Sequence, residues 1–202
     1  MKIVILVEGE TERAFHDTLV EFLKRRLPGK MPKLIFQGQR GRIPTGDKLR
    51  KVVASEFIGK TAADAVIALT DVYTGTDDFV DADDAKAKMR AWVGDEPRFH
   101  PHAAQYDFEA WLLPFWPTIQ KLAQHNKTAP SAKPETINHN NPPAYRIKEI
   151  FELGKCRDSY QKPRDAKRIL KDNDLLVAAK ACPELKAFLN TILSLCCGEL
   201  IA

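Results

Sequence analysis

Ile3, Val4, Ile5, Leu6 and Val7 form an unbroken apolar run that stops at Glu8-Gly9-Glu10-Thr11-Glu12. A run this short and this rich in β-branched side chains suits a strand covered on both faces. Gly9 permits a sharp exit, and Thr11 is placed to cap a following helix. In that helix Phe15, Leu19, Phe22, Leu23 and Leu27 recur at three- and four-residue spacing until Pro28-Gly29 ends the pattern. Residues 33–36 read as a short strand, Gly38-Gln39-Arg40-Gly41-Arg42 as a flexible basic loop, and residues 46–58 as a helix with Thr45 as its cap. Ala65-Val66-Ile67-Ala68-Leu69 is a second run of the buried-strand type and also ends in an acid, Asp71. Residues 77–93 read as loop then helix and residues 98–105 as a further strand. Asp107-Phe108-Glu109-Ala110-Trp111-Leu112-Leu113 starts a helix with acids in its first turn, as the helix dipole favours.

Strands alternating with helices predict an α/β fold built on a mostly parallel sheet flanked by helices, with right-handed crossovers. Residues 1–125 would form this core. Residues 126–144, with Pro130, Pro134, Pro142 and Pro143 among polar residues, read as a linker, and residues 145–202, with four helical patterns, as a small C-terminal helical subdomain. No apolar stretch reaches the ~18 residues of a membrane span, so no membrane partner is expected. Without a leader at its N-terminus the chain is expected in the cytoplasm. Cys156, Cys182, Cys196 and Cys197 make no metal or redox spacing and are expected to be reduced thiols.

Net charge is a modest +4, but the charges lie in blocks. Residues 24–60 hold eleven Lys and Arg against two acids, residues 71–84 hold six aspartates and no base, and residues 146–171 hold nine bases against four acids. Basic segments flanking an acidic one are what a metal centre acting on a polyanion needs: the phosphates call for cations and the metal for carboxylates.

Three acidic groups fall at strand ends or helix starts: Glu8 with Glu12, Asp71 with the aspartates beyond it, and Asp107 with Glu109. Parallel strands place their carboxyl ends on one edge, so these acids can converge. Mg²⁺ relieves such repulsion with one or two protein carboxylates plus water and phosphate oxygens, and needs no His or Cys. Glu8, Asp71 and Glu109 are the catalytic candidates, with Glu8, Asp71, Glu12 and Asp107 the candidate metal ligands. Asp77 and Asp78 read as loop and cap residues. Arg40, Arg42 and Lys162 are candidate nucleic-acid contacts.

The Glu8-Gly9-x-Thr11-Glu12 segment resembles the first motif of Toprim domains, especially the form found in overcoming-lysogenization-defect nucleases. That resemblance implies a second Asp-x-Asp motif and divalent metal used on nucleic-acid backbones. Here Asp71 matches the first aspartate and Tyr73 replaces the second. The chain also resembles a bacterial Toprim-like family catalogued as domain of unknown function 4276 and associated with genome defence. Asp107-Phe108-Glu109-Ala110, Tyr160-Gln161-Lys162-Pro163 and Cys182-Pro183-Glu184-Leu185 carry that likeness.

The expectation is a Mg²⁺- or Mn²⁺-dependent phosphodiesterase: a nuclease of low sequence specificity, for DNA rather than RNA, with a role in phage or plasmid defence. The alternative, motivated by Tyr73, is a catalytically degenerate module that binds a partner ATPase or nucleic acid. Tyr73 itself reads as a packing or hydrogen-bonding residue rather than a nucleophile. His100 and His102 alternate on a strand and share one face, with no third ligand at recognisable spacing.

Overall fold

In the computed structural model, residues 1–73, 77–137, 141–155 and 159–202 are described. Cys156, with part of the 126–144 segment and of the second basic block, lies outside them. The first apolar run is β1 (Lys2–Val7), and the reason it is unbroken is that both faces are covered. Ile3, Ile5 and Val7 enter one core layer; Val4 and Leu6 enter another on the opposite face. Full burial of such side chains contributes about 1.5–3 kcal/mol each relative to exposure.

β2 (Lys33–Gly38), β3 (Ala65–Asp71) and β4 (Phe99–Ala104) complete a four-stranded sheet in the order β2-β1-β3-β4, every pair parallel. β1 therefore leads outward to β2, the chain crosses back to β3, and β3 leads outward in the other direction to β4. This reversal makes the carboxyl ends of β1 and β3 a topological switch point, where open α/β sheets form their crevice. One face is covered by α1 (Glu10–Ala14), α2 (His16–Lys24) and the later helices, the other by α3 (Asp47–Glu56) and α4 (Ala82–Val93).

The later helices are α5 (Trp116–Ala123), α6 (Pro143–Leu153), α7 (Lys162–Leu170), α8 (Leu175–Ala181) and α9 (Pro183–Leu195). Ile147, Phe151, Ile169, Leu175 and Phe188 from them share one apolar cluster with Ile3, Ile5, Val7, Ile67 and Leu69 of the sheet. Among the described residues, no helix is long and apolar enough to cross a membrane. Cys182, Cys196 and Cys197 are free thiols.

Four local expectations are corrected. Thr11 lies inside α1, whose N-cap is Gly9, and the Gly9 N–H donates to Glu12 Oε2 at 2.9 Å. The helix expected through Phe15 is two helices, broken at that residue. Thr45 does not cap α3; Gly46 does, with φ 57°. The helix expected from Asp107 is two 3-10 turns, Phe108–Trp111 and Leu113–Phe115, before α5 begins. Pro114 has no N–H for the Ala110 carbonyl, so an α-helix cannot run through it. That carbonyl accepts instead from Cys182 Sγ at 3.7 Å.

Candidate acidic site at the sheet edge

β1 and β3 are in register from Ile3 opposite Ala65 to Val7 opposite Leu69, which sets Glu8 beside Thr70 at the exits of the two central strands. Thr70 Oγ1 donates to Glu8 Oε1 at 2.6 Å, and the Asp71 N–H donates to the same oxygen at 3.0 Å. Thr70 is a residue of this candidate site that the sequence reading did not single out; its signal is a lone hydroxyl at the end of an apolar strand. Glu8 is buried, with Glu12 buried beside it on the first turn of α1. Burial pushes the Glu8 carboxyl up to about 7, against the pull of Thr70 and the Asp71 amide, and Glu12 adds repulsion. Burial raises Glu12 as well, with the Glu109 charge adding to it.

Asp71 is the last residue of β3. Its carboxyl is held well above the usual range by burial first and then by Glu8, Glu12, Asp107 and Glu109 together. The predicted acids thus act on one another across the switch point. Asp107 follows β4 by three residues and is buried. Its Oδ2 accepts from the Ala144 N–H at 3.1 Å, at the start of α6, while its Oδ1 is buried with no hydrogen-bond partner among the described residues. Burial and the Glu109 charge push this carboxyl up to about 7.

Glu109, in the first 3-10 turn, is 1% exposed and is met by one short segment of the chain. Tyr160 Oη donates to its Oε1 at 3.3 Å, and Lys162 Nζ stands 3.3 Å from Oε1 and 3.4 Å from Oε2. Burial works against the Lys162 charge, but Glu109, Asp107 and Asp71 outweigh it and raise the ammonium pKa. Tyr160 is pushed upward by burial and by Glu109, Asp107 and Asp165, so it stays a donor. Lys162 is therefore built into the acidic site, while half its side chain remains exposed.

The basic loop is pinned to the same edge: the Gly41 N–H donates to the Glu8 carbonyl at 2.7 Å, and the Gln39 N–H to the Val7 carbonyl at 2.8 Å. This carries Arg40 and Arg42 to the mouth of the site. Arg40 takes a left-handed backbone with φ 57°, and Arg42 is ion-paired with Asp78. Asp78 thus supports the loop, and Tyr73 is exposed. His100 and His102 sit apart under α9, where His102 Nε2 pairs with Thr191 Oγ1 at 2.9 Å. Burial drives the His102 pKa down to about 3.

Among the described residues, no three His, Cys, Asp or Glu side chains are already arranged around one coordination point. The donor set nevertheless fits a hard divalent cation. It offers carboxylate oxygens only, burial outweighs the hydrogen bonds and cations that favour their charged forms, and Asp107 Oδ1 has no partner among the described residues. A cation that keeps most of its own waters needs only one or two of these groups.

The sequence pattern of the family described as Domain of unknown function (DUF4276) matches residues 7–193. Among solved structures, the chain is similar to the C-terminal region of the OLD protein of Burkholderia pseudomallei, at 14% identity and a TM-score of 0.53, over 96% of this chain and 98% of that one. It is also similar to the C-terminal region of the OLD protein of Xanthomonas campestris pv. campestris, at 13% identity and a TM-score of 0.49, over 96% and 93%. The first likeness supports the Toprim-like fold. Among curated proteins no sequence match is found.

Proposed function

We propose that this chain, which belongs to the DUF4276 family, is a divalent-metal-dependent phosphodiesterase that cleaves nucleic acid, DNA rather than RNA, with low sequence specificity. The observation that carries the reading is the gathering of four buried acids, Glu8, Glu12, Asp107 and Glu109, with Asp71, whose N–H donates to Glu8, at the switch point of a parallel sheet. Glu8, Asp71 and Asp107 would hold Mg²⁺ or Mn²⁺, with Glu12 beside them. When bound, the cation supplies charge neutralisation at the scissile phosphate and lowers the pKa of a water.

The remaining chemistry belongs to the chain. Glu8, with a carboxyl near 7, is matched for moving a proton at neutral pH. Thr70 and the Asp71 amide fix one Glu8 oxygen and leave the other for proton or cation. Glu109 holds Lys162, whose ammonium is offered to a phosphate oxygen, and Arg40 and Arg42, on the loop tied to the Glu8 carbonyl, offer further cations. None of these contacts reads a base edge, hence the low specificity. Such a substrate agrees with a cytoplasmic enzyme acting in phage or plasmid defence.

Plasmid cleavage in Mn²⁺ by the wild type and by Glu8→Gln tests the reading. The expected result is cleavage that chelation abolishes and that the variant lowers by about a hundredfold or more, within the range lost when transition-state charge stabilisation is removed. A folded Glu8→Gln chain that cuts as fast as the wild type refutes the assignment.

A second reading rests on Tyr73, exposed where the Toprim pattern has another acid. On it the chain is a non-catalytic module that engages a partner ATPase or nucleic acid. That reading requires no Mn²⁺-dependent rise in melting temperature, whereas a competent site stabilises the fold by mass action.

A further inference from the structure

The aromatic side chains of this chain are mostly withdrawn from water. Of ten Phe, three Trp and four Tyr, two are exposed, Tyr73 at 46% and Tyr145 at 47%. Both stand beside the acidic site. Tyr73 lies shortly beyond Asp71, and its N–H donates at 2.6 Å to the carbonyl of Tyr106, the residue before Asp107. Tyr145 follows Ala144, whose N–H donates to Asp107 Oδ2 at 3.1 Å.

Of the two, Tyr145 is the one on a helix, and a helix fixes a side chain more closely than a loop does. In α6 Pro143, Ile147, Ile150 and Phe151 are buried, whereas Tyr145, in the first turn, is exposed. Its Cα is one step of about 3.8 Å from that of Ala144, whose amide holds Asp107. A long helical side chain leans toward the N-terminal end of its helix, and that end of α6 is the one on Asp107. A tyrosine ring has two side-chain torsions, so it gives up little freedom when a ligand covers it.

The acids narrow the choice of ligand. Glu8 is 7% exposed and Glu109 1%, so a phosphate has to be brought below the surface to reach them. In a duplex the faces of the bases are covered by neighbouring pairs, and the rod is stiff over about 150 base pairs. A single strand bends readily and presents open base faces, which stack on aromatic rings with little regard to sequence. That tolerance agrees with the low specificity proposed above.

We propose that Tyr145 stacks on an unpaired base beside the scissile phosphate, so that the substrate is single-stranded nucleic acid or an unpaired stretch of a duplex. The assignment rests on the phosphodiesterase reading and adds to it the strandedness of the substrate. Negative supercoiling favours such opened stretches in a plasmid.

The test is Mn²⁺-dependent cleavage of an end-labelled single strand of mixed sequence, and of the same strand annealed to its complement, by the full-length wild type, Tyr145→Phe and Tyr145→Leu. The wild type is expected to cut the single strand with kcat/KM higher by about tenfold, the effect of one stacked base. Tyr145→Leu keeps an apolar side chain without a ring face and is expected to raise KM for the single strand by about tenfold. Its kcat is retained, because the stack is made equally in the ground and transition states. Tyr145→Phe keeps the ring and the wild-type KM. The loss in Tyr145→Leu should be the same at low and high salt, since a stack, unlike a phosphate contact, releases no counterions. Should Tyr145→Leu not fold, the comparison of the two substrates decides. A wild type that cuts the duplex as well as the single strand, a folded Tyr145→Leu chain with the wild-type KM, or a Tyr145→Phe chain that loses as much as Tyr145→Leu overturns the inference and leaves the phosphodiesterase reading standing. A wild type that cuts neither substrate overturns both.

Discussion

At the scale of single residues, the carboxyl of Glu8 sits at about 7 in the folded chain against an ordinary value of 4.5, and that of Asp107 at about 7 against 3.8. Between those limits the folded chain keeps protons that the unfolded chain releases. The stabilisation is therefore complete below about pH 4 and is lost as pH rises through about 7. The metal-free protein is expected to melt at progressively lower temperature from pH 5 to pH 8, and Glu8→Gln to flatten that decline. A melting temperature independent of pH would contradict the burial argument. Thr70→Val removes the 2.6 Å donor to Glu8 while keeping the shape of the side chain. Loss of such an outer partner typically weakens metal binding by 10–100-fold, so a Mn²⁺ titration should show affinity lower by about tenfold with the fold retained.

At the scale of elements, legibility followed the length of the apolar pattern. β1 and β3 were readable because each is a continuous apolar segment. The segment at Asp107 was misread: acids at a helix start look alike whether they serve the dipole or turn inward, and the Ala144 N–H that holds Asp107 lies 37 residues away. Glu8 and Asp71 were identifiable as strand-end acids, but their strands being neighbours was not, because strand order depends on which crossovers pack on which face. The junction of α5 and α6 yields a test of its own. A Cβ on Gly154 would lie 1.7 Å from the Ala123 carbonyl oxygen and 2.9 Å from its carbon, both backbone atoms that cannot turn aside. Gly154→Ala should therefore destabilise the chain by about 1–3 kcal/mol or more in urea unfolding, as overpacking does. Unchanged stability would mean that α5 and α6 are not apposed in this way.

At the scale of the whole molecule, the fold reads as a device for concentrating like charge. Five acids from the exit of β1, the first turn of α1, the end of β3 and the turn after β4 act on one another across one edge, and the packing of α6 and α7 against that turn adds the Ala144 amide, Tyr160 and Lys162. Neither Lys162 nor Tyr160 could be tied to Glu109 from spacing, since more than fifty residues separate them. The central claim is that this concentration serves a divalent cation. Calorimetric titration of Mn²⁺ into the wild type and into Asp71→Asn at slightly alkaline pH, where the carboxyls release their protons most readily, tests it most directly. The account predicts saturable binding by the wild type, with protons released on binding, and loss of that binding in the variant. A wild type that takes up no Mn²⁺, or an Asp71→Asn chain that binds it equally well, would contradict it.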